Sequence, residues 1–91
     1  KNMNFMSIVG LVDQVIFNTN KNSIIQLQVD NAYYQGKLNE PETQLINIEV
    51  NSEIFKKELN LLKPGLIIAI KGRIENHQNV MKLIAERIKP F

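Results

Sequence analysis

Leu62-Lys63-Pro64-Gly65-Leu66-Ile67-Ile68-Ala69-Ile70-Lys71-Gly72-Arg73-Ile74-Glu75 is the stretch whose reading decides the fold. Lys63-Pro64-Gly65 reverses the chain: proline pre-sets φ at the first corner and glycine accepts positive φ at the second. Leu66 to Ile70 is a short apolar run rich in isoleucine, a strand buried on at least one side. Gly72 interrupts it, which marks a bulge or sharp bend of the kind small barrels need at their corners. Beyond the bend the strand turns polar, with Lys71 and Arg73 on one face and Gly72 and Ile74 on the other. A strongly bent strand with a basic outer face suits a small barrel that meets an anion.

Upstream, Phe5 to Phe17 carries apolar residues at both parities (Met6, Ile8 and Val12; Phe5, Val9, Leu11 and Val15), so part of it is a strand covered on two sides, with a bend at Gly10. Asn18 to Asn22 is a hairpin turn. Ser23 to Tyr34 alternates, with Ile25, Leu27 and Val29 opposite Gln26, Gln28 and Asp30, a half-solvated strand. Gln35 to Thr43, containing Gly36, Asn39 and Pro41, reads as a loop. Gln44 to Val50 alternates again, Ile46, Ile48 and Val50 opposing Leu45, Asn47 and Glu49. Asn51-Ser52 offers a helix cap, and Glu53 sits where the helix dipole favours an acid. The spacing of Phe55, Leu59 and Leu62, with Ile54 and Leu61 near the same side, predicts one amphipathic helix over 53–62, stopped by Pro64 and Gly65.

Downstream, Asn76-His77-Gln78-Asn79 is a turn and Val80 to Ile88 a fifth strand. The order β-β-β-α-β-β specifies an all-β fold, a five-stranded OB barrel with one helix between strands 3 and 4. A sandwich wants more strands, and an α/β sheet wants helices between all of them.

Composition bounds the function. The 91 residues make one domain, hiding about 60–65% of the unfolded surface. There is no cysteine and only one histidine, so neither a disulfide framework nor a metal site is expected, and no cofactor is implied. No apolar run reaches the roughly 18 residues of a membrane span, and no signal-peptide pattern opens the sequence; a cytoplasmic protein is expected. The net charge of +2 and pI near 9.0 are mildly basic and compatible with a nucleic-acid partner. Abundant isoleucine, asparagine and lysine also fit an AT-rich coding bias. Asp13, Asp30, Glu49, Glu53 and Glu75 are scattered, with no pair suited to acid–base work, and no nucleophile motif or glycine-rich phosphate loop occurs. No catalytic residue is assigned, and the expectation is not an enzyme.

With the element order established, the chain resembles the bacterial single-stranded-DNA-binding protein family from about Asn4 to Ile88. Leu62-Lys63-Pro64-Gly65 leading into Ile68-Ala69-Ile70-Lys71-Gly72-Arg73-Ile74 looks like that family's helix end, turn and V-x-V-x-G-x-I strand. Ile8-Val9-Gly10-Leu11-Val12 looks like its first strand, and Ile46 to Phe55 like its third strand running into the helix. The resemblance implies binding of single-stranded DNA with little sequence preference, by stacking bases on aromatics and tracking the backbone with lysine and arginine. It implies work in replication, repair or recombination, within a homo-oligomer, a tetramer being favoured over a dimer. Apolar residues at both parities of strand 1 also leave surface to cover.

Carried over by position, Tyr33 sits where the family's second strand has a stacking aromatic. Leu45 and Asn51 replace two others. The turn after strand 4, aromatic and basic in the family, has His77 and Asn79 here. These residues, with Lys71 and Arg73 on strand 4 and the exposed basics Lys21 in the first turn and Lys37 in the long loop, are the candidate nucleic-acid contacts. Each has a plain alternative: Tyr33 as an ordinary strand aromatic beside Tyr34, Lys71 and Arg73 as solvated strand charges, His77 as an exposed turn residue. Lys82 and Arg87, alternating with acidic and apolar residues, weigh less, and Lys56-Lys57 fits the wet side of the helix. The family's long tail ending in acids has no counterpart before Lys89-Pro90-Phe91, so recruitment of replication and repair enzymes through such a tail is not expected. The thinned aromatics suggest a specialised paralogue, and leave open an OB-fold protein–protein adaptor of primosome-accessory type with weak nucleic-acid binding. RNA binding is the third reading.

Overall fold

Side-chain alternation builds the wall of a closed cylinder. The computed structural model describes residues 4–30 and 43–91. Five strands, β1 (Phe5–Ile16), β2 (Ser23–Asp30), β3 (Thr43–Val50), β4 (Ile67–His77) and β5 (Val80–Pro90), close in the order β1-β2-β3-β5-β4. One short helix, α1 (Ser52–Lys57), lies between β3 and β4. This is the expected OB arrangement. Neighbours are antiparallel except β3 and β5, which meet in parallel at Glu49 and Ile84. The inward parities of β2, β3 and β4 supply the core, with Ile25, Leu27, Ile48, Val50, Ile68 and Ile70 wholly buried. Met6, Val12, Phe55, Leu62, Ala85 and Ile88 complete it.

β1 closes the barrel by serving both flanks. Its first half pairs with β4, from Phe5–Arg73 to Leu11–Ile67, and its second half with β2, from Leu11–Gln28 to Ile16–Ile24. The change-over is at Leu11, next to Gly10. The bulge itself falls later: Val12 faces Leu27 and Gln14 faces Gln26, leaving Asp13 as the extra residue.

The Lys63–Leu66 reversal forms as expected. Leu66 N–H donates to the Lys63 carbonyl at 3.2 Å, and Gly65 has φ of 96°, the type II geometry that glycine accepts without a Cβ clash. Gly65 N–H donates to the Val12 carbonyl and Val12 N–H to the Leu66 carbonyl, each at 2.8 Å, so the turn is stitched to β1.

The helix and the bulge depart from expectation. The helix expected over 53–62 is shorter: Asn51 Oδ1 accepts from Ile54 N–H at 2.8 Å to cap α1, the chain leaves helical geometry at Glu58, and a single 3₁₀ turn spans Leu59–Leu61. Tightening from 3.6 to 3.0 residues per turn changes which leucine meets the barrel. Leu62 is buried in the core, as Phe55 is, whereas Leu59 is 52% exposed. The bulge expected at Gly72 also lies elsewhere, on the facing strand. Lys71 pairs with Arg87 and Gly72 with Ala85, so Glu86 of β5 is the extra residue. Gly72 instead admits the partner backbone, since a Cβ there would sit 1.9 Å from the Ile84 carbonyl oxygen.

The second hairpin turn is only Gln78-Asn79. Both have positive φ, 53° and 69°, the type I′ pattern that matches strand twist, so His77 is the last residue of β4 and not a turn residue. Thr43, assigned to the long loop, opens β3, its hydroxyl donating to Asp30 Oδ1 at 3.1 Å. The rest of that loop, with Lys37, and the Tyr33-Tyr34 pair lie outside the described residues.

Candidate nucleic-acid interface

The outer face of β2 and β3 is where an OB barrel presents its ligand surface, flanked by the turns that follow β1 and β4. Register pairs Ile24 with Glu49, Gln26 with Asn47 and Gln28 with Leu45 across this face. Gln26 Nε2 donates to Asn47 Oδ1 at 3.1 Å, so two amides are already tied together. Leu45 stands 56% exposed among them. The face is amide-rich and carries two apolar side chains, the half-buried Ile24 and the exposed Leu45.

Its flanks are ordered. In the first turn, Asn18 N–H donates to the buried Ser23 Oγ at 3.0 Å, and Asn18 Nδ2 to the Asn22 carbonyl at 2.9 Å, which presents Lys21 to solvent. Asn22 Nδ2 donates to Glu49 Oε1 at 3.2 Å, and Lys82 Nζ lies 3.6 Å from Glu49 Oε2. Lys21, Asn22, Ile24, Glu49 and Lys82 thereby line an open cleft of about 430 Å³. Lys21 makes no ion pair among the described residues. The cleft therefore mixes two cations with one carboxylate, and Lys21 is the cation that Glu49 does not engage.

The β4–β5 hairpin carries a second charge network. Arg73 Nε donates to Glu75 Oε2 at 2.6 Å and its Nη1 to Glu86 Oε2 at 2.8 Å, while His77 Nε2 is 2.8 Å from Glu75 Oε1. Hydrogen bonds from His77, then Arg73, hold the Glu75 carboxyl below the usual carboxylate range, and Glu75 followed by Glu86 pushes the Arg73 guanidinium up. Arg73 is thus neutralised by two acids and has little net charge left for a phosphate. For Glu75 the sign follows directly: a depressed folded-state pKa adds stability above the unfolded value and loses it as pH falls through the folded one. An NMR titration of the Glu75 carboxyl should place its midpoint below the usual carboxylate range, and His77→Ala should raise it. Equal midpoints in the two proteins would dissolve the network.

The candidates do not converge on one spot. Lys21 borders the β2–β3 face, and His77 and Asn79 are at the hairpin tip, where Asn79 also serves the backbone by taking positive φ. Lys71 and Arg73 lie on β4, which β1 separates from β2 and β5 separates from β3. Tyr33 and Lys37 fall outside the described residues. The β4–β5 register sets Arg87 opposite Lys71 and Lys89 opposite Ala69, a neighbourhood of cations that reading along the sequence does not bring together. Among the described residues no helix is long and apolar enough to cross a membrane, and no group of three or more His, Cys, Asp or Glu could hold a metal ion.

No family model matches the chain, and no curated protein matches it. Solved structures do. The small single-stranded DNA-binding protein of Streptomyces coelicolor is similar at a TM-score of 0.76 and 17% identity, over 100% of this chain and 95% of that one. A mitochondrial single-stranded DNA-binding protein of S. cerevisiae is similar at 0.74 and 18%, over 99% and 97%. The Plasmodium falciparum SSB in complex with ssDNA is similar at 0.67 and 17%, over 93% and 88%. At these identities the likeness is one of fold, and it runs the length of the OB barrel.

Proposed function

We propose that this chain is an OB-fold protein that binds single-stranded DNA with little sequence preference and serves replication, repair or recombination. The observation that carries the reading is the outer β2–β3 face, bordered by the Lys21 turn on one side and by the β4–β5 hairpin on the other. The names of the similar structures support it, since each is a single-stranded DNA-binding protein and one holds ssDNA. In this reading Tyr33 is the stacking platform and Lys37 a phosphate contact, both outside the described residues.

The test is a fluorescence titration of matched oligo-dT and oligo-U at several salt concentrations. Oligo-dT binding is expected, weakening with salt by a log–log slope of about 0.7 per phosphate contacted. Tyr33→Ala should lower the affinity at least about fivefold, the lower end of one lost stacking contact, at unchanged melting temperature. Equal affinity in that variant would remove Tyr33 from the site, and tighter oligo-U binding would redirect the function to RNA.

Assembly into a homo-oligomer, a tetramer in preference to a dimer, belongs to the same proposal. Phe5, Val9 and Ile67 are exposed on one side of the barrel and want cover. A monomer by light scattering at micromolar concentration would refute this part. A protein–protein adaptor of primosome-accessory type is the second reading, favoured by an aliphatic Leu45 where a base would need a ring. Failure to bind either oligonucleotide at low salt would establish it over the first.

A further inference from the structure

At the end of the β2–β3 face next to the first turn, a carboxylate already sits where an anion would be held. Glu49 has the outward parity of β3, with Leu45 and Asn47, and both of its oxygens are engaged. Oε1 accepts from Asn22 Nδ2 at 3.2 Å, and Oε2 lies 3.6 Å from Lys82 Nζ. The two donors come from separate elements, Asn22 from the turn before β2 and Lys82 from β5. Asn22 is set in place, since its carbonyl accepts from Asn18 Nδ2 at 2.9 Å. Lys82 faces a second acid across the hairpin, its register partner Glu75, but Arg73 and His77 hold that carboxyl. Asn22, Glu49 and Lys82 line the open cleft of about 430 Å³ that Lys21 also borders. None of the cleft's lining residues belongs to β1 or β4, so it lies apart from Phe5, Val9 and Ile67, the side that assembly would cover.

An amide N–H and an ammonium group converging on the two oxygens of one anion form a donor set that the two non-bridging oxygens of a phosphodiester also fit. The Glu49–Lys82 contact is long and both side chains are partly exposed, so solvent screens it and it adds little to the stability of the barrel. Its larger effect is on charge: it cancels the β5 cation of the cleft and leaves Lys21 as the one that is free among the described residues.

We propose that Glu49 is an internal competitor for strand phosphate. It occupies the phosphate seat formed by Asn22 and Lys82 and so limits how tightly the β2–β3 face holds single-stranded DNA. The inference rests on the single-strand-binding reading and deepens it, assigning the residue that sets affinity on the same face. A strand crosses the cleft beside Lys21, and Lys82 stays discharged. With one phosphate contact fewer, the strand leaves more readily and its binding depends less on salt.

The experiment uses the full chain and four variants: Glu49→Gln, Lys82→Ala, the two combined, and Glu53→Gln on α1 as a control of equal charge change. Glutamine keeps an acceptor for Asn22 and gives up only the charge. Oligo-dT binding is measured by fluorescence against salt, with melting temperature alongside. Glu49→Gln should tighten binding about fivefold or more at low salt and steepen the log–log slope by about 0.7, one further phosphate neutralised by Lys82. Lys82→Ala alone should keep the parent slope, and in the Glu49→Gln background it should abolish the gain. Glu53→Gln should leave the slope where it was. A parent-like slope in Glu49→Gln, an equal gain from Glu53→Gln, a gain that survives Lys82→Ala, or a slope already lowered by Lys82→Ala alone would each overturn the competitor while leaving single-strand binding intact. Binding by neither the parent nor Glu49→Gln would overturn both.

Discussion

Gly72→Ala is expected to lower the melting temperature by about 12–24 °C, corresponding to about 3 kcal/mol for a domain of this size. The added Cβ would lie 1.9 Å from the Ile84 carbonyl oxygen and 2.9 Å from its carbonyl carbon. Those are backbone atoms in a ladder, so no side chain can swing aside to relieve the collision. β5 would have to retreat from β4 at the point where Ala85 and Ile84 enter the interior. Gly65→Ala is the informative comparison. It too asks alanine to accept an unfavourable setting, φ of 96°, but nothing lies within 4 Å of its Cβ, and a loss of about 1–2 kcal/mol is expected there. Thermal unfolding followed by circular dichroism measures both. A Gly72→Ala protein melting within a few degrees of the parent would show that the two strands separate at no cost, and the account of the bulge would be wrong.

Leu45→Tyr is expected to tighten oligo-dT binding by about 5- to 150-fold, the range of one base–aromatic stacking contact of about 1–3 kcal/mol. The position is already exposed on the outer face of β3 beside Gln28, so a ring adds no buried volume and the melting temperature should hardly move. The substitution gains function, which separates a poor platform from a misassigned face. Unchanged affinity in a stably folded Leu45→Tyr protein would mean that no base crosses β3.

Parity carried most of the fold. Ile25, Leu27, Ile48 and Val50 alternate with Gln26, Gln28, Asn47 and Glu49, and the two sets separate into interior and exterior as alternation requires. The Pro64-Gly65 reversal was equally legible, because it depends on the φ preferences of two adjacent residues. The helix was legible in place but not in length. Phe55, Leu59 and Leu62 keep an i, i+4, i+7 spacing, but the tighter last turn buries Phe55 and Leu62 and leaves Leu59 exposed, a choice made by contact with the barrel.

The binding surface was less legible, for a reason that can be located. Counted back from the Gln78-Asn79 turn, Lys71 falls opposite Glu86, an ordinary neutral pair. The extra residue at Glu86 shifts the register by one, sending Glu86 to Arg73 and setting Lys71 beside Arg87. Residue identity, read along the chain, determined the barrel, its turns and the faces of its strands. Only the tertiary structure decided which charges cancel and which accumulate, because that depends on how closely two backbones approach at Gly72, a contact between positions far apart in the chain that no local pattern encodes.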